Sequence, residues 1–158
     1  MFRRRRIMKK IPNTTINYSR TLPSWKNILT KHALYKYSYG NQISNMLKKY
    51  IMRHMIIQNY NGPLYRGLRK NKNISNFDKQ NTVKRNQFSS FTKNKVVANS
   101  YTKNKNPRIL VINTPKRIKS INYKAYKSEF PGEEEVLLPP GVFHVKHRNG
   151  KYIYVNFK

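Results

Sequence analysis

Apolar positions follow two different periods along the chain. After Gly40, the residues Ile43, Met46, Leu47, Tyr50, Ile51, His54 and Met55 recur at i, i+3, i+4 and i+7, while Lys48, Lys49 and Arg53 fall on the opposite side. That is the spacing of an amphipathic helix. A shorter helix is expected to open at Ser24, an N-cap residue, with Trp25, Ile28, Leu29 and Ala33 along one side. Beyond "NYNGP" the period shortens to that of strands. "LYRGL", "QFSSF", "RILVINT", "EVLLP", "VFHVKH" and "YIYVNF" read as strands, "KNKVVANSY" as a short helix, and "HRNGK" as a hairpin turn. The polar stretch from Arg69 to Lys84 reads as a loop. Helices in one block and strands in the next predict an α+β fold, with N-terminal helices followed by a mixed, mainly antiparallel β core.

A length of 158 residues suits a single core. The division expected is a basic arm over residues 1–20, carrying the run "MFRRRR", and one domain over residues 21–158. Too little apolar material follows the arginines for a secretory signal. The absence of cysteine excludes disulfides, thiolate metal sites and a cysteine nucleophile. His32, His54, His144 and His147 are scattered without metal-ligand spacing, so no metal is expected. The longest apolar runs are far below a membrane span.

Charge changes the picture more. Thirty-four Lys and Arg against five Asp and Glu give a formal net charge of +29, which predicts attraction to nucleic acid, anionic membranes or acidic proteins. Heavy use of Asn, Lys, Ile and Tyr is also what AT-rich coding produces, so part of the excess is compositional. The arm suits a nucleic-acid contact, a nuclear address or plain solvation. Together these features suit a viral or mobile-element origin and favour the interior of a host cell or a virion over secretion.

Three polar motifs interrupt the strand pattern. Arg66 in "PLYRGL" is either an edge-strand cation facing water or a guanidinium placed to grip a phosphate by two parallel hydrogen bonds, with Gly67 letting a ligand approach the backbone. In "FSSFTKNK", Ser90 and Thr92 share a strand face and can orient a carboxylate or a sugar; read alone, Thr92 equally suits a helix cap and Ser90 a turn. Four of the five acidic residues, Glu129, Glu133, Glu134 and Glu135, fall within seven positions. Alternation would put Glu133 and Glu135 on one side as the chain enters a strand, where like charges raise one another's pKa, an arrangement that suits chemistry more than a solvated loop.

Taken in order, these motifs resemble the mono-ADP-ribosyltransferase family of the Arg-Ser-Glu class, which includes the clostridial binary toxins and the vertebrate ecto-transferases. "LYRGL" is similar to that family's arginine strand, "FSSFT" to its Ser-Thr-Ser pattern, and "GEEEVLLPPGVFHV" to its Glu-X-Glu loop and following strand; "YSYGNQISNMLKKY" looks like the helix preceding the arginine strand. Phe91 and Thr92 depart from the middle and last residues of the serine motif. The resemblance implies an ADP-ribosyltransferase fold with NAD as substrate and no metal. It implies Arg66 and Gly67 at the NAD phosphates, Ser90 positioning the catalytic Glu135, Thr92 beside it, and Tyr101 against the nicotinamide, where a plain core tyrosine is the alternative. Glu133 in the Glu-X-Glu pattern implies transfer to a protein arginine, on a target acidic enough to meet this charge. NAD hydrolysis at the same site, or a basic nucleic-acid-binding or virion protein retaining the fold, are the other readings.

Overall fold

A computed structural model describes residue 49, residues 52–122, residue 132 and residues 134–158. The elements in chain order are β1 (Ile56–Gln58), β2 (Leu64–Leu68), α1 (Asn71–Lys79), β3 (Thr82–Arg85), β4 (Ser89–Thr92), α2 (Lys95–Ser100), β5 (Arg108–Ile112), β6 (Ile118–Asn122), β7 (Glu135–Leu138), β8 (Gly141–Asn149) and β9 (Tyr152–Phe157). The strands form one nine-stranded mixed sheet in the order β1-β6-β7-β4-β2-β5-β9-β8-β3. Strands β5 and β9 run parallel, while the other neighbours pair antiparallel.

The pairing is uneven. β2 is matched to β5 from Leu64 through Leu68, and β4 to β7 from Ser89 through Thr92, but β2 meets β4 only at Tyr65 opposite Thr92. The sheet is therefore two lobes joined at a narrow seam, and side chains near the seam can reach from one lobe to the other.

Alternation along the strands sorts side chains to two faces. Leu64, Leu68, Leu110, Ile112, Ile153 and Val155 turn to one face, where they bury Ile74 and Phe77 of α1 in the main core. Phe143 anchors that core, edge-on to Phe77 at 5.7 Å and stacked on Phe91 at 5.9 Å between ring centroids. On the other face α2 presses Ala98 onto Ile109 and Val111, flanked by Tyr65, Tyr152 and Tyr154. The strands "LYRGL", "RILVI", "EVLL" and "YIYVNF" and the hairpin turn at Gly150, whose φ is 59°, lie where their patterns put them.

Residues 69–84 differ from the expected loop, since they hold α1 and β3. The stretch is polar because only Ile74 and Phe77 of α1 are buried, three residues apart on one face, and Lys70 makes no side-chain cap. Its C-terminal end is satisfied from a distance: Arg148 on β8 donates Nε and Nη2 to the Phe77 carbonyl at 3.0 and 2.9 Å and Nη2 to the Gln80 carbonyl at 2.8 Å. These bonds neutralise orphan carbonyls at the helix end. β1 and β6 were also not evident from pattern. They are fastened by buried polar groups, with the Tyr60 hydroxyl bonded to Ser120 Oγ and Gln58 Nε2 donating to the same oxygen at 3.2 Å. Burial pushes the Tyr60 phenol up to about 12, and the Ser120 bond opposes that only in part. The expected helix from Ser24, the arm and most of the helix after Gly40 lie outside the described residues; Lys49, Met52 and Arg53 are helical. No helix among the described residues is long and apolar enough to cross a membrane, and no cluster of metal-ligating side chains occurs among them.

Candidate active site

Strand β7 starts at Glu135, directly opposite Thr92 on β4, and Ser90 lies two residues along the same strand. Ser90 and Thr92 thus share a face, and the Ser90 hydroxyl donates to Glu135 Oε2 at 2.5 Å. The bond is short, as expected when the acceptor is a carboxylate. Glu135 is only 4% exposed and Thr92 6%, so water competes little for the carboxylate. From across the seam, Arg66 Nη1 donates to the Ser90 backbone carbonyl at 3.1 Å. One residue of β4 therefore contacts both others, its carbonyl taking the guanidinium and its hydroxyl holding the carboxylate.

The segment leading into β7 corrects the alternation argument. Glu134 has a φ of 46°, a left-handed conformation uncommon outside glycine. Its carbonyl accepts the Lys93 N–H at 3.2 Å, which ties the turn before β7 to the β4–α2 junction. The chain is therefore bent at Glu134, and the period-2 rule begins only at Glu135. Glu133 lies outside the described residues.

Two other expectations acquire different physical reasons. A Cβ on Gly67 would sit 2.2 Å from the Ala98 carbonyl oxygen and 3.1 Å from Tyr101 Cβ. The close approach that demands glycine there is by the end of α2, not by open space for a ligand. The cap of α2 is Asn94, whose Oδ1 accepts the Val96 N–H at 3.0 Å. Thr92 Oγ1 instead accepts the Asn94 N–H at 3.0 Å, so it shapes the turn before the helix. Tyr101, half-buried, is the C-cap residue of α2 and stands against Gly67. The sequence reading missed Asn94 and the Lys93–Glu134 tether; an Asn two residues before the first apolar pair of a helix was the available signal for the first.

Arg66, Ser90 and Glu135 are thus brought together, Thr92 lies beside them, and Gly67 with Tyr101 forms the adjacent support under α2. A carboxylate fixed by a hydroxyl, beside a guanidinium, can stabilise a developing cation while the guanidinium holds an anion.

A family model described as "NAD:arginine ADP-ribosyltransferase" matches residues 31–157. Among solved structures, Exoenzyme S from Pseudomonas aeruginosa, determined with human 14-3-3 protein beta and carba-NAD, is 11% identical with a TM-score of 0.57, covering 96% of this chain and 85% of its own. A point mutant of the eukaryotic mono-ADP-ribosyltransferase ART2.2 in complex with NADH is 19% identical with a TM-score of 0.53, covering 97% of this chain and 73% of its own. At these identities the likeness is one of fold. The type III effector XopAI from Xanthomonas axonopodis pv. citri is 20% identical with a TM-score of 0.44 over 63% of this chain, which spans only 45% of the effector chain. No curated protein matches by sequence.

Proposed function

The chain belongs to the NAD:arginine ADP-ribosyltransferase family, and from that premise we propose that it binds NAD at the β2–β4 seam and transfers ADP-ribose to an arginine of an acidic target protein. The observation that carries the reading is the pair of bonds meeting at Ser90, hydroxyl to Glu135 Oε2 at 2.5 Å and carbonyl from Arg66 Nη1 at 3.1 Å.

In that reaction the bond between ribose C1′ and the nicotinamide nitrogen breaks, and both electrons leave with nicotinamide, which becomes neutral. Positive charge then builds on C1′ and the ring oxygen. Glu135 accepts a hydrogen bond from the ribose 2′-hydroxyl and sets its negative charge against that cation, as one carboxylate does in glycosidases. Ser90 keeps the carboxylate in place, so no reorientation is needed as charge develops. Arg66 supplies the guanidinium for the pyrophosphate, and Tyr101 supports the nicotinamide side.

The acceptor guanidinium has a pKa above about 12 and must lose a proton as its nitrogen bonds to C1′. Glu133, as the first carboxylate of the Glu-X-Glu pattern, is proposed to attract that cation and take the proton. The +29 net charge favours a target of opposite sign.

The test is incubation with labelled NAD plus free arginine or arginine-bearing proteins, reading nicotinamide release and label transfer separately. Glu135→Gln is expected to lose both by ~10²-fold or more. Glu133→Gln is expected to lose transfer by about 10²-fold while slow NAD hydrolysis persists, and Glu134→Gln to change neither much. Near-normal turnover in folded Glu135→Gln would overturn the site, and parallel loss of both reactions in Glu133→Gln would overturn the acceptor role.

A further inference from the structure

The face of the sheet that carries α2 continues past it onto β9 and β8, and there its side chains alternate rings and cations. Tyr152 and Tyr154, two apart on β9, point to this face with ring centroids 6.5 Å apart. His147, opposite Tyr154 on β8, is exposed and stacks on that ring at 4.3 Å with planes 11° apart. Lys95, in the first turn of α2, holds its ammonium 4.7 Å from the Tyr152 ring centre, and Lys151 holds its own 5.5 Å away. We infer that this face of β8 and β9 is a docking surface for single-stranded nucleic acid, in which bases stack on the His147–Tyr154 pair while phosphates meet Lys95 and Lys151, whose ammoniums lie over the Tyr152 ring.

Charge is the first argument. The described acidic residues are Asp78, Glu134 and Glu135. Asp78 is ion-paired with Arg108 at 2.8 Å, Glu135 is buried on β7, and Glu134 lies in the turn before it. None of these three stands on α2, β8 or β9, so no described acidic side chain shares an element with this surface. Ring chemistry is the second. A duplex keeps its base faces stacked on one another, so rings that take a base by its face require an unpaired single strand. An acidic protein would engage the lysines and leave the rings without a role. In the sheet order β4, β2 and β5 separate β9 from β7, which carries Glu135, while Lys95 opens the helix that ends beside Tyr101.

The experiment is fluorescence anisotropy of a labelled thymidine oligonucleotide, the same strand in a duplex, and polyglutamate as competitor. Lys95→Ala/His147→Ala, whose side chains are both exposed, is expected to weaken single-strand binding tenfold or more, the scale of one lost base stack, and to lower the slope against log salt by about 0.7. Lys119→Ala, which removes one exposed charge from β6, is expected to weaken it less than threefold. Lys95→Ala/His147→Phe, which keeps a ring, is expected to recover most of the loss. Equal loss from Lys119→Ala, duplex binding as tight as single-strand binding, displacement by polyglutamate at matched charge, or no oligonucleotide binding at about 100 mM salt would each overturn the inference.

Discussion

Ser90→Ala removes one hydroxyl and leaves the rest of the site standing. The Arg66 bond goes to the Ser90 backbone carbonyl, which alanine retains, whereas the 2.5 Å bond to Glu135 belongs to the side chain. Because Glu135 is only 4% exposed, water has little access to replace the lost donor. A hydrogen bond to a charged group contributes about 1.5–3 kcal/mol. If that energy holds the carboxylate where the ribosyl cation forms, the barrier rises by the same amount, which is about 10- to 150-fold in rate at 1.36 kcal/mol per decade. The loss is expected in kcat and in kcat/KM alike, with little change in KM for NAD, the pattern of an interaction realised in the transition state. Initial rates of nicotinamide release against NAD concentration separate these parameters. Ser90→Thr keeps the hydroxyl and is expected to recover most of the rate. Folded Ser90→Ala with kcat within about threefold of the parent, or with KM raised and kcat unchanged, would refute the positioning argument.

Arg66→Ala is expected to raise KM for NAD at least tenfold, and Arg66→Lys to recover only part of it because an ammonium lacks the planar fork; an unchanged KM in titrations with NAD removes Arg66 from the phosphates. Gly67→Ala places a Cβ 2.2 Å from the Ala98 carbonyl oxygen, so α2 must shift at a cost of about 1–3 kcal/mol; urea unfolding that matches the parent would show that the helix yields freely. Tyr60, raised by burial to about 12 from 10.0, stays neutral in the folded chain while the unfolded chain ionises. Its contribution is therefore fully present below pH 10 and is lost as pH rises through about 12, at about 1.4 kcal/mol per pH unit. In Tyr60→Phe that part of the alkaline slope should vanish, and an identical slope in both proteins would contradict the assignment.

Local pattern determined much of this protein. "LYRGL", "RILVI", "EVLL" and "YIYVNF" are strands because alternating β-branched, leucine and aromatic side chains can bury one or both faces of a pleated chain. The order of arginine, serine and glutamate motifs was likewise visible, since each sits on such a strand. α1 was hidden because its stability comes from elsewhere: Ile74 and Phe77 buried in the main core, Phe77 edge-on to Phe143, and a C-terminal end held by Arg148, 71 residues away. The site itself was a tertiary decision. Ser90 reaches Glu135 across 45 residues only because β4 and β7 pair in one register, and a slip of one residue would turn the hydroxyl to the other face. The left-handed turn at Glu134 and the need for glycine at position 67 arise in the same way. One is fixed by the bond from Lys93 and the other by the carbonyl of Ala98, partners brought near by strand pairing and by the packing of α2 on β2, which no local pattern of side chains encodes.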